Sequence, residues 1–222
     1  AKKGDKNYPY KKFTNRIVFP IFDEYSKIVG FSGRKLPDSD DKYPKYINSA
    51  EEDIPFFKKK ETIYNLHRAK KFIRKKDQVI WVEGFMDVIF LYKYGIKNVV
   101  ASMGTAVTKE QVKKMQKYTN NIILYLDPDS SGQKAMKRSL KIFDNKDITL
   151  KLVTDKKGLD PADKVKELEK KFKIWIKKNA KTIEQYYVDK FMEQYNTKLI
   201  NAKRKLLENI NKVFKNRMNK IE

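Results

Sequence analysis

The chain has 222 residues, enough for one large domain or two modest ones. Its 51 Lys and Arg against 28 Asp and Glu leave a formal charge of +23, which predicts attraction to polyanions and says little about fold. The lack of cysteine excludes disulfides, a zinc ribbon and a thiol nucleophile, and no apolar run approaches the ~20 residues that span a bilayer.

Only seven of the basic residues are arginine, so lysine bias from an AT-rich genome explains the charge about as well as nucleic-acid binding does. The sequence opens on Ala1-Lys2-Lys3-Gly4-Asp5, with neither Met nor an apolar signal segment, and stops inside a helical pattern at Ile221 and Glu222. The expectation is a segment of a longer protein that works in a reducing compartment.

Up to about residue 60, short apolar runs such as Ile17–Ile21 and Ile28–Phe31 alternate with Gly30, Gly33, Pro37 and Pro44, which predicts short strands and loops. A helix is predicted from Lys60 to Arg74, with Ile63, Leu66, His67 and Ile73 near one face. Over 78–153 the period switches repeatedly. Strands are predicted at 78–82, 99–102, 122–126 and 148–153, with helices at 86–94, 108–117 and 130–143 between them. Gly95 closes the first of these helices, and Thr108 with Gln111 has capping-box spacing for the second. Such alternation predicts an α/β fold whose sheet is parallel and covered on both faces, with ligands at the carboxyl edge of the strands. Beyond Pro161 no strand pattern and no further Gly or Pro occurs; Phe172, Trp175, Ile183, Tyr187 and Leu206 recur at helical spacing, so a basic helical subdomain is expected.

The chemistry-bearing residues fall at strand ends. Glu83 follows the first strand of the sheet, Gly84 permits a tight turn and Asp87 lies one helical turn on. Asp127-Pro128-Asp129 follows the strand at 122–126, and Asp160-Pro161-Ala162-Asp163 follows the last. A single acid after a strand is more often a helix cap, a job Asp129 or Asp160 could each do. Three acidic clusters at one edge of one sheet favour a divalent cation, since crowded carboxylates repel until a cation neutralises them. Such ions can stabilise attacking and leaving oxygens in phosphoryl transfer. His67 beside Leu66 reads as structural, and Trp81 and Trp175 read as core.

At these residues the sequence resembles a TOPRIM domain, the fold shared by bacterial primases, type IA and II topoisomerases and some nucleases. Glu83-Gly84-Phe85-Met86-Asp87-Val88 is similar to the primase form of the motif, as are Val100–Ala106 and Gly132-Gln133-Lys134-Ala135. Upstream, Arg16–Ile21, Gly30–Leu36 and Pro44–Ser49 resemble the basic subdomain of DnaG-type primases, a set that topoisomerases and nucleases lack. The resemblance divides the chain into the end of that basic subdomain (1–76), TOPRIM (77–160) and a helical subdomain (161–222).

It also implies roles. Glu83, Asp127 and Asp129 would be catalytic and, with Asp87 and Asp160, would hold Mg²⁺ (or Mn²⁺); no zinc is expected on this chain. Arg34, Lys45, Tyr46, Asn48 and Lys59 would handle template and incoming nucleotide, although charge alone would make Arg34, Lys45 and Lys58–Lys60 an ordinary solvated face. Two positions depart from the family pattern: Pro128 replaces the glycine of Asp-Gly-Asp, and Ala162 replaces the last carboxylate of Asp-Pro-Asp unless Asp163 substitutes. The implied activity is metal-dependent synthesis of short RNA primers on single-stranded DNA from ribonucleoside triphosphates, by a cytoplasmic monomer at the replication fork. A helicase would dock through regions outside this sequence. A TOPRIM nuclease or topoisomerase fragment, or a non-catalytic primase-derived binding module, are the competing expectations.

Overall fold

The computed structural model describes residues 12–38, 42–51, 56–103, 106–127 and 147–194, together with 54, 139, 142–143, 204–205 and 207–211. Two sheets organise them. The first is antiparallel, β1 (Arg16–Phe22), β2 (Ile28–Lys35) and β3 (Tyr46–Asn48), in that order. Pro20 lies in β1, an edge strand, where its missing N–H costs no ladder bond.

The second sheet contains β4 (Val79–Val82), β5 (Val99–Ala101), β6 (Asn121–Leu124), β7 (Thr149–Leu152) and β8 (Lys181–Thr182). Its order is β5-β4-β6-β7-β8, with the first four parallel and β8 antiparallel to β7. All four residues of β4 are buried, as expected of a strand covered on both faces. The period-2 alternation sorts its side chains. Val79 and Trp81 join Leu66, Ala69 and Ile73 of α1 (Leu66–Lys76) and Val112 and Met115 of α3 (Lys109–Met115) on one face. Ile80 and Val82 join Val88 and Leu91 of α2 (Phe85–Lys93) on the other.

The described helices beyond Pro161 pack into that core. Val165 of α4 (Pro161–Leu168) and Phe172 and Ile176 of α5 (Phe172–Asn179) pack against β4 and β6, and Ile183 of α6 (Ile183–Gln194) reaches the opposite face. The expectation of no strand after 161 is corrected by β8. Lys181 and Thr182 carry no apolar signal; they pair because β7 presents an open edge.

Helix α1 starts six residues later than predicted. Tyr64 is instead engaged by Ala101, each N–H donating to the other's carbonyl (2.9 and 3.3 Å), and Asn65 follows with φ +68°. Its amide donates to Val99 O, so the segment before α1 is stitched to β5. Gly95 ends α2 at φ +82°, and Thr108 and Gln111 form the predicted capping box of α3. The predicted helix at 130–143 lies largely outside the described residues, as do Pro128, Asp129, the Gly132–Ala135 motif and, in the tail, Leu206. Among the described residues no helix is long and apolar enough to cross a membrane.

Candidate active site

In the second sheet the chain leaves β4 first towards β5 on one side and later returns to β6 on the other. The carboxyl ends of β4 and β6 therefore border the switch-point crevice in which open α/β sheets bind ligands. Glu83 directly follows β4. Asp127 follows the buried pair Tyr125-Leu126 that extends β6, where the Tyr125 N–H donates to Trp81 O (2.9 Å). Both residues are half-buried, and Glu83 Oε2 and Asp127 Oδ1 are sheltered from solvent.

Asp87 sits deeper, 6% exposed. Its Oδ2 accepts from the Gly84 N–H (3.0 Å), closing the N-terminus of α2, and its Oδ1 accepts from the Ala162 N–H in the first turn of α4 (3.2 Å). Burial raises this carboxyl most and the charge of Asp127 adds to it. The two N–H donors oppose, Asp160 contributes further upward, and the balance is about 7. Asp160 caps α4, its Oδ1 accepting from the Asp163 N–H at 2.7 Å. Asp163 is the next acidic residue after Ala162. Its side chain is exposed and pairs with Lys166 (2.7 Å), whereas Ala162 is buried and offers only its N–H.

Tyr46 of the antiparallel sheet reaches this end, its ring tilted against Phe85. Arg34 pairs across from Tyr46 and Ser32 from Asn48, so Arg34, Tyr46 and Asn48 share one face of β2–β3. The Arg34 guanidinium lies 5.9 Å from the Tyr46 ring centroid. Burial raises the Tyr46 hydroxyl, Arg34 opposes by charge and by hydrogen bond, and Asp87 is close enough to raise it further. Asn48 keeps a buried Oδ1 that no donor among the described residues reaches. Lys45 is exposed just before β3.

Lys59 is half-buried, and its backbone is held at two points: its N–H donates to Glu51 Oε1 (2.9 Å) and its carbonyl accepts from Gln111 Nε2 (3.3 Å). Thr108 Oγ1 holds the neighbouring Lys60 carbonyl at 2.6 Å. The capping box of α3 thus also fixes the loop that carries Lys59.

Phe85 joins the two halves. Its ring is stacked with Phe19 (5.6 Å), tilted against Tyr46 (5.8 Å) and edge-on to Tyr64 (4.6 Å), inside a small core with Ile21, Phe57 and Met103. A basic face with an aromatic floor is thereby locked against a carboxylate crevice.

Two family models match the chain: "DNA primase catalytic core, N-terminal domain" over residues 1–70 and "Toprim-like" over residues 80–165. The DNA primase of Clostridium acetobutylicum is 38% identical over 205 residues, covering 92% of this chain and 33% of that protein. The chain belongs to the DnaG-type DNA primase family. It spans about a third of the length of the curated primases it matches. Among solved structures, a DNA primase domain from Pseudomonas aeruginosa superposes with a TM-score of 0.78 at 32% identity, covering 93% of this chain and 64% of that one. A DnaG primase catalytic domain bound to single-stranded DNA gives 0.73 at 29%, covering 91% and 64%.

Within this primase core the expected acidic set divides. Glu83 and Asp127 border the crevice, Asp87 and Asp160 hold helix termini beside it, and Asp129 lies outside the described residues. Among the described residues no three acidic or histidine side chains surround one point closely enough to hold an ion. Two carboxylates suit Mg²⁺ nonetheless, because it keeps waters and takes substrate phosphates as its remaining ligands. The upward push of Asp127 and Asp160 on Asp87 reports the crowding that a cation would relieve.

Three residues have surroundings that the sequence does not signal. Phe85 stands there only as part of the Glu83–Val88 motif. Tyr125, hidden in an apolar strand, donates to Leu159 O (3.1 Å), and its hydroxyl is raised by burial and by the acids around it, Asp155 foremost. Lys164 occupies an apolar position of α4, 4% exposed, and pairs with Asp155 (3.0 Å) and Glu167 (2.7 Å). Its only sequence signal was its i+3 spacing from Pro161 on the buried face of α4.

Proposed function

We propose that this chain is the nucleotidyl-transfer core of a DNA primase, joining ribonucleoside triphosphates into short RNA primers along single-stranded DNA. The observation that carries the reading is the juxtaposition of the Glu83–Asp127 crevice with the Arg34–Tyr46–Asn48 face through Phe85. Glu83 and Asp127, with Asp129, are the residues that would hold Mg²⁺ or Mn²⁺. When bound, the ion supplies charge neutralisation at the reacting phosphate.

The protein's own groups position the reactants. Arg34, Lys45 and Lys59 attract and orient phosphates, Tyr46 offers a ring to a base, and the Asn48 oxygen is an acceptor for a donor on nucleotide or template. Asp87 and Asp160 fix the first turns of α2 and α4, which border the crevice, and so act as positioning residues. The reaction forms a bond from the primer 3′ oxygen to the α-phosphorus and releases pyrophosphate. Residues 1–76, 77–160 and 161–222 serve as basic subdomain, TOPRIM and helical support, working in the cytoplasm at the replication fork, with a helicase recruited from elsewhere in the whole protein.

The match over residues 1–70 favours this reading over a nuclease or topoisomerase. Incorporation of labelled ribonucleotides on a single-stranded DNA template, with and without Mg²⁺, tests it; a pre-annealed RNA primer removes any need for initiation. Mg²⁺-dependent extension is expected. Firm DNA binding without extension would make the chain a binding module instead.

A further inference from the structure

We propose that the cleft beside the turn between β2 and β3 is a subsite for one unpaired base of the single-stranded DNA template, with Tyr43 as its stacking platform. The inference rests on the primase reading and extends it to residues that the family resemblance does not assign.

The cleft is a shallow one open to solvent, with a volume of about 480 Å³. Leu36, Pro37 and Pro44 give it apolar walls, Arg34 and Lys45 give it positive charge, and Tyr43 adds an aromatic ring. An exposed tyrosine by itself is ordinary surface. Here the ring is 53% exposed, lies beside the exposed Leu36, and has the Lys42 ammonium 5.2 Å from its centroid. An aromatic platform flanked by cations is the combination that single strands use, stacking for the base and charge for the backbone.

The cleft is also built rather than loose. The Arg16 guanidinium donates to the carbonyls of Gly33 (3.0 Å), Pro44 (2.9 Å) and Lys45 (3.4 Å), and the Lys35 N–H donates to Lys45 O (3.0 Å). Gly33 makes this clamp possible: a Cβ there would stand 2.5 Å from the Phe13 ring and 3.0 Å from the Arg16 stem. Arg34 belongs both to the cleft and to the Tyr46 face, so a strand crossing the cleft continues towards the carboxylate crevice.

Binding of the full chain to a fluorescent single-stranded DNA oligonucleotide across a salt series tests the proposal. Tyr43→Ala should weaken affinity roughly five- to 150-fold, the worth of one stacked base, and leave the salt slope unchanged because no phosphate contact is lost. Arg34→Ala and Lys45→Ala should instead each lower the slope by roughly 0.7. Tyr43→Phe and Tyr43→Trp should bind like the parent. A single abasic residue walked along the oligonucleotide should find one position that reproduces the Tyr43→Ala loss, and the two losses should not add. Tyr43→Ala binding normally while Arg34→Ala binds weakly would overturn the subsite and leave the primase reading intact. Failure of the unaltered chain to bind any single strand would overturn both. Tighter binding of an RNA oligonucleotide with the same dependence on Tyr43 would overturn the assignment to the template.

Discussion

Glu83 and His67 show how differently two half-buried titratable groups are employed. Glu83 borders the switch-point crevice with one oxygen sheltered from solvent. Glu83→Gln keeps the shape and removes the charge, so ribonucleotide incorporation should fall to background while oligonucleotide affinity and the unfolding midpoint hold. Retained incorporation in that variant would remove Glu83 from the site. His67 packs its ring 4.4 Å from Phe22 and buries an Nδ1 that no donor among the described residues reaches. Burial first, then Arg68 and Lys70, lower its pKa, with Asp23 opposing. The unfolded chain then binds a proton near pH 6.5 that the folded one still refuses, so stability declines as pH falls through 6.5 and levels off below the folded value. Urea midpoints of the parent and His67→Phe should therefore separate in favour of the variant between pH 7.5 and pH 5; a constant gap would refute the assignment.

At the scale of elements, the loop from β7 to α4 is set by one buried ion pair. Asp155 accepts the Lys164 ammonium on Oδ1 and the N–H groups of Lys157 and Leu159 (both 3.1 Å) on Oδ2. Burial works to lower the Lys164 ammonium, but its bonds to Glu167 and Asp155 outweigh that and raise it. Tyr125 anchors the same loop at Leu159, and Asp160 at its end caps α4. Removing one member of a buried pair costs about 3–5 kcal/mol, because the other stays charged and desolvated. Lys164→Met should approach that cost in chemical denaturation. Asp155→Asn combined with it should cost clearly less than the two losses added. Additive losses would mean that the pair does not hold the loop.

Across the whole molecule, the interface between the two sheets sets how the basic face meets the carboxylate crevice. Phe85 lies within the Glu83–Val88 motif in sequence, yet its ring belongs to the small core with Phe19, Tyr46 and Tyr64. Replacing a buried Phe with Ala costs about 3–5 kcal/mol, enough to threaten the fold, so Phe85→Leu is the sharper probe. It should leave oligonucleotide affinity near normal, because the basic face survives by itself. It should lower the turnover of incorporation by tenfold or more, since a misplacement of about 1 Å between reacting groups can cost ~10²-fold. Equal loss of affinity and turnover would show that Phe85 supports the basic face alone.

The sequence by itself determined the α/β class, the parallel strands β4 to β7, the capping box at Thr108 and the placement of Glu83 and Asp127 at strand ends. These follow from local periodicity, and a strand's end is where its apolar run stops. It also carried the family, through motifs whose spacing survives in the chain. The Asp160 cap and the Asp163–Lys166 pair are local contacts of α4 itself. Only tertiary structure decided that Ala162 serves Asp87 through its backbone, which depends on where α4 lands against α2. The late start of α1 and the polar strand β8 belong to the same class. In both, a segment's backbone is claimed by a distant strand, Tyr64 by Ala101 and Lys181-Thr182 by β7, and no side-chain pattern records that claim. Lys164 is the clearest case: a lysine among lysines in the sequence becomes a buried, doubly paired ammonium only because the fold brings Asp155 to it.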